Sequence, residues 1–138
     1  MLGYIICFTL TIFLTFLAQK SNSKKQFVFF SILIILIPSI FAGIRSINVG
    51  SDVVGYLKGD LNKALWYNDF GKLIKYANEE VGFLGLIYLT TRFTENIHVL
   101  MFIIELIIMF YFYRFICAKK DKLSMTLLMT IYMFMCYS

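Results

Sequence analysis

The sequence predicts an all-α, polytopic transmembrane helical bundle of about four or five hydrophobic segments. Three observations point there. Of 138 residues, 60% are hydrophobic and only 15% charged, with a mean hydropathy of +0.80, well above what water-soluble domains carry. The apolar residues are blocked into runs, each near the ~20 residues that cross a bilayer. Lys and Arg gather beside those runs instead of being spread along one face.

The first run, 2–18, has no Lys or Arg before it, and Lys20, Lys24 and Lys25 after it. That is the reverse of a secretory leader, so it reads as a retained anchor. The second, 27–44, contains Pro38, which frees a backbone carbonyl one turn earlier and predicts a kink, a defect that membrane helices tolerate. Residues 45–80 form a polar connection, with Gly50, Gly55 and Gly59 marking turns. Within it Asp60 and Asp69 can each cap a helical turn. Trp66, Phe70, Leu73 and Ala77 recur at helical spacing, predicting one apolar stripe on a helix lying at the headgroup level.

The segment 81–93 is apolar but short, about 13 residues or ~20 Å as a helix against a hydrocarbon core of ~30 Å. It reads either as re-entrant or interfacial, or as a span in a thinned bilayer. Residues 97–118 and 123–138 are the third and fourth spanning candidates. The last run ends without a polar cap or flanking charge, and the chain reads as truncated.

Charge sets the expected orientation. Lys20, Lys24 and Lys25, together with Arg114, Lys119, Lys120 and Lys122, resemble cytoplasmic loops under the positive-inside rule. The N-terminus is then external, and 45–80 is an external loop. A net charge of +5 held beside membrane segments argues against nucleic acid as a partner. Cys7, Cys117 and Cys136 lie far apart in apolar segments, without CxxC spacing, and read as packing residues. His98 has no Cys, His or carboxylate at ligand spacing, so no metal is predicted and no cofactor is implied.

Chemistry-bearing residues are densest at 45–56. Arg45, Gly50, Ser51, Asp52 and Tyr56 bring a cation, a turn and a carboxylate to the mouth of the second run. A guanidinium offers a planar fork of donors suited to phosphate, Gly50 lets backbone approach a ligand, and a carboxylate accepts from sugar hydroxyls or takes a proton. The same residues also read as a snorkelling arginine beside a solvated aspartate. Glu79 and Glu80 are adjacent, so on a helix they point about 100° apart and do not form a dyad. Glu105 falls eight residues into the 97–118 run, ~12 Å deep by helical rise, where an ionisable group marks function or has a partner such as His98 or Arg92.

The string Ala42, Gly43, Ile44, Arg45, then Val49, Gly50, Ser51, Asp52 and Tyr56, followed by Glu80, Val81, Gly82 and Phe83, resembles the amino-terminal part of the EpsG family. Those proteins are similar to Wzy-type polysaccharide polymerases. The likeness spans nearly the whole chain but, by segment count, only the N-terminal portion of the family. It implies a multi-pass protein of the bacterial cell membrane that joins undecaprenyl-diphosphate-linked oligosaccharide repeat units in capsule or exopolysaccharide synthesis. Its partners would be the lipid bilayer, the lipid-linked oligosaccharide and other polysaccharide export proteins. Carried over residue by residue, Arg45 would meet the diphosphate, Asp52 and Tyr56 the sugar, and Glu80 would be a carboxylate near the site. Ser51 stands where the family usually has Thr, keeping a hydroxyl. Residues expected from later helices are missing, so the fragment is expected to be inactive alone. The competing reading is a non-catalytic membrane protein, an assembly subunit or a truncated remnant. A transporter half is disfavoured because no repeat pairs the segments.

Overall fold

A computed structural model describes residues 2–46, 57–67, 69–76, 80–120 and 123–135. Among these residues the chain is all-α, with seven helices: α1 (Leu2–Lys20), α2 (Lys24–Ile44), α3 (Lys58–Trp66), α4 (Phe70–Tyr76), α5 (Val81–Thr91), α6 (Ile97–Lys119) and α7 (Met125–Met135). Three of them, α1, α2 and α6, are long and apolar enough to cross a membrane. The fourth spanning candidate is described only in part. α7 covers 11 residues, or ~16 Å of helix, and residues 136–138 lie outside the described part.

The chain divides into two compact units, 1–42 with 102–138, and 43–101. In the first, α1 and α7 make the closest backbone approach. The reason is visible along α1: Cys7, Thr11 and Thr15 recur every four residues, with Ala18 after them, all buried. Small side chains in one row let two helices meet at short range, the usual basis of helix association in lipid. The two run antiparallel. Gln19 near the end of α1 accepts hydrogen bonds from Ser124 Oγ (3.2 Å), the Thr126 amide (3.2 Å) and Thr126 Oγ1 (3.0 Å) at the start of α7, while Phe8 meets Phe134 edge-on at 5.9 Å near its end.

Hydroxyls on these helices are satisfied locally. Thr11 Oγ1 donates to the Cys7 carbonyl and Thr15 Oγ1 to that of Thr11, both at 2.8 Å. In an apolar surround, such back-bonding removes the cost of an unpaired donor. α2 continues as one helix through Pro38, and Ser39 Oγ donates to the Ile35 carbonyl at 2.7 Å within that turn. α2 is joined to α6 by a 2.8 Å hydrogen bond between Ser31 and Tyr113. Gly3 lies under the ring of Phe41, where a Cβ would come within 3.1 Å, so a larger residue there would require the ring to shift by a few tenths of an ångström. Cys7 is buried in this core and Cys117 packs against it; both are free thiols.

The second unit holds α3, α4 and α5. The expected single stripe through Trp66, Phe70 and Leu73 does not form, because the helix breaks at Tyr67, where the backbone turns extended. Trp66 is left 87% exposed while Leu73 is fully buried. The buried side of α3 is instead Leu57, Asp60, Leu61 and Ala64. Asp69 caps α4 as expected, accepting from the Gly71 amide at 3.0 Å. Asp60 does not cap; it falls inside the first turn of α3, with Leu57 at the cap position and no side-chain cap bond. α5 buries Leu84, Ile87, Thr90 and Thr91, at the three- and four-residue spacing of one helical face, and packs on α3 and α4.

Candidate functional site

The cluster predicted from sequence is only partly described. Gly50, Ser51, Asp52 and Tyr56 lie outside the described residues, as do Glu79, Ala77 and Cys136. Arg45 is described. It directly follows α2 and is half-buried, and its Nε is buried with no hydrogen-bond partner. A guanidinium N–H enclosed without an acceptor is costly unless a ligand supplies one.

Immediately before it the backbone is tied down. His98 Nδ1 sits 2.8 Å from the Gly43 carbonyl, and in the tautomer with Nδ1 protonated it donates to that carbonyl. Gly43 is in the last turn of α2, whose carbonyls have no partner within the helix, so His98 acts as its cap. His98 is itself placed by the start of α6, where its amide donates to Asn96 Oδ1 at 2.9 Å and the Asn96 amide to Thr94 Oγ1 at 3.2 Å.

Arg92 performs the same service for α3. Its Nη2 donates to the Ala64 carbonyl at 3.1 Å, and its guanidinium lies 4.5 Å from the centre of the Tyr88 ring, a cation over a π face. Glu105, half-buried on α6, accepts a hydrogen bond from Tyr132 Oη of α7 at 3.3 Å. Tyr132 also stacks on Phe112, ring centres 4.2 Å apart.

Glu80 occupies the cap position of α5, is exposed, and makes no side-chain cap bond. Its charge still sits where the helix dipole favours an anion. One carboxylate was missed as a site candidate by sequence reasoning. Asp60 is only 2% exposed; Oδ1 takes an ion pair from Lys63 Nζ at 2.9 Å, while Oδ2 is buried without a partner. The signal was present: Leu57, Leu61 and Ala64 define an apolar helical face, and Asp60 falls on it. Among the described residues, no group of three His, Cys, Asp or Glu side chains is placed to hold a metal ion.

Comparison of the chain with known protein families, with curated proteins and with solved structures found no match.

Proposed function

We propose that the chain is the amino-terminal portion of a membrane polysaccharide polymerase related to the EpsG family, acting on undecaprenyl-diphosphate-linked oligosaccharide repeat units at a bacterial membrane. Three helices long and apolar enough to cross a bilayer support the membrane setting. The observation that carries the reading is Arg45, which closes α2 with a buried Nε donor that has no acceptor among the described residues. A diphosphate would supply that acceptor, and a guanidinium holds phosphate oxygens in a bidentate, charge-assisted manner. Within this reading Gly50 and Ser51 line the approach to the diphosphate, Asp52 and Tyr56 bind the sugar, and Glu80 supplies a carboxylate beside them. Other polysaccharide export proteins would be partners. Asp60 adds a buried carboxylate to the candidates, with one oxygen unused.

The test is the lipid-linked glycan ladder from cells carrying variants at the native locus, at matched protein levels in the membrane. Arg45→Lys keeps the charge but loses the planar fork, so the ladder is expected to collapse to single repeats, as for Arg45→Ala. An unchanged ladder for Arg45→Ala would make this arginine an interfacial anchor and favour the non-catalytic alternative.

A further inference from the structure

The end of the first unit opposite Arg45 on α2 carries a different arrangement. The turn between α1 and α2 is held by Ser21, whose amide donates to the Ala18 carbonyl at 3.2 Å and whose Oγ donates to the Ser23 carbonyl at 3.1 Å. Beside this turn lies a cleft of about 340 Å³ lined by Ser21, Asn22, Ser23, Lys24, Phe27, Val28 and Lys120. The two lysines are far apart in sequence, one opening α2 and the other directly following α6. Among the described residues, neither has an ion-pair partner and no carboxylate lines the cleft.

Lys24 and Val28 also line a second, apolar hollow of about 440 Å³, completed by Lys25, Phe29 and Ile32. Val28, Phe29 and Ile32 all expose half or more of their surface, on the outer side of a helix long enough to cross a bilayer. The lysine-bearing cleft thus lies beside an apolar hollow on the surface of α2, the two sharing Lys24 and Val28.

We propose that this is a binding site for an anionic phospholipid, its phosphate between Lys24 and Lys120 and an acyl chain laid along Val28, Phe29 and Ile32. Charge selects the occupant: two cations without an ion-pair partner among the described residues, with hydroxyl and amide neighbours, suit a phosphate, and basic pockets at the ends of transmembrane helices are the recognised setting for acidic headgroups. The adjoining hollow selects a lipid over a free anion, since inorganic phosphate would leave the apolar surface uncovered.

The experiment counts lipid bound to the purified full chain in neutral detergent by native mass spectrometry, comparing phosphatidylglycerol, phosphatidylcholine with the same acyl chains, and inorganic phosphate. Phosphatidylglycerol is expected to bind in preference to both. Lys24→Gln combined with Lys120→Gln should weaken it by about fivefold per lysine, on the order of 25-fold together, while the Lys24→Arg and Lys120→Arg pair retains it. Lys20 and Lys119, exposed at the same helix ends but outside the cleft, serve as the control, and converting both to Gln should leave binding unchanged. Equal losses from the two Gln pairs would mean a diffuse basic belt and overturn the site. Equal binding of the two lipids would do so as well, and so would inorganic phosphate binding as tightly as phosphatidylglycerol.

Discussion

Thr15 gives the sharpest test of how α1 and α7 are held together. It is 0% exposed and lies in the row of α1 between the two contacts to α7 made by Phe8 and Gln19. Two substitutions separate its volume from its polarity. Thr15→Val keeps the shape and removes a hydroxyl that among the described residues bonds only to the Thr11 carbonyl, at 2.8 Å. That carbonyl keeps its helical partner, so the loss should stay below about 1 kcal/mol. Thr15→Leu adds bulk where the backbones approach, and overpacking of this kind costs ~1–3 kcal/mol. Cys7, buried in the same row and in the core that α7 helps to close, reports the consequence, because a buried thiol reacts only when the packing around it opens. With labelling resolved by peptide mass spectrometry, Thr15→Leu should speed modification of Cys7 by about fivefold to 150-fold, and Thr15→Val by less than about fivefold. A valine variant as fast as the leucine variant would show that the hydroxyl, not the small volume, holds the pair.

Tyr132→Phe removes the bond to Glu105 but keeps the stack on Phe112. Interhelical hydrogen bonds in membranes contribute ~0.5–1.5 kcal/mol, so Cys7 labelling should accelerate by no more than about tenfold; a larger effect would mean that Glu105 depends wholly on this tyrosine. Arg92→Lys loses both the planar contact with Tyr88 and the fork directed at the Ala64 carbonyl, at a cost of ~1 kcal/mol. Amide hydrogen exchange in α3 should then quicken about fivefold, and exchange that is unchanged would remove Arg92 from its capping role.

The long helices were legible because membrane-spanning length and apolar run length are nearly the same quantity. α1, α2 and α6 each extend a residue or more beyond the apolar run that announced them, taking in a flanking lysine. The 45–80 connection was harder, since the periodicity of Trp66, Phe70 and Leu73 is equally compatible with a continuous helix and with two helices broken at Tyr67. What decided it was the burial of Leu57, Leu61 and Ala64 against α5, a long-range contact that local spacing does not encode. The same limit hid the roles of His98 and Arg92. Their acceptors are backbone carbonyls 55 and 28 residues away, and every residue type presents the same carbonyl. Glu105 was recognised as anomalous from depth alone, yet Tyr132 is one of nine tyrosines in the chain, and nothing in the sequence sets it apart as the partner.

Whether α5 crosses the bilayer can be argued from both ends of its neighbours. If α2 and α6 cross a bilayer, Lys24 at the start of α2 and Lys120 just after α6, which line one cleft, put those two helix ends on the same side of it. At the other ends, His98 in the first turn of α6 meets the Gly43 carbonyl in the last turn of α2 at 2.8 Å, so those ends share the opposite side. The chain between Ile44 and Ile97 must therefore leave and return on one side, which requires an even number of crossings. A single crossing by α5 would break that parity, and its 11 residues, ~16 Å of helix, fall well short of the ~30 Å core. Its buried face is also occupied by α3 and α4, which carry Lys58, Lys63, Lys72 and Lys75 and would be costly to draw into hydrocarbon. The expectation is that Thr94→Cys, Lys58→Cys and Lys72→Cys are labelled by a membrane-impermeant thiol reagent from one side, and that Lys24→Cys and Lys120→Cys are labelled only from the other. Labelling of Thr94→Cys from the side of Lys24 would show that α5 crosses, and the shared cleft and the His98 bond could not then both hold in the membrane.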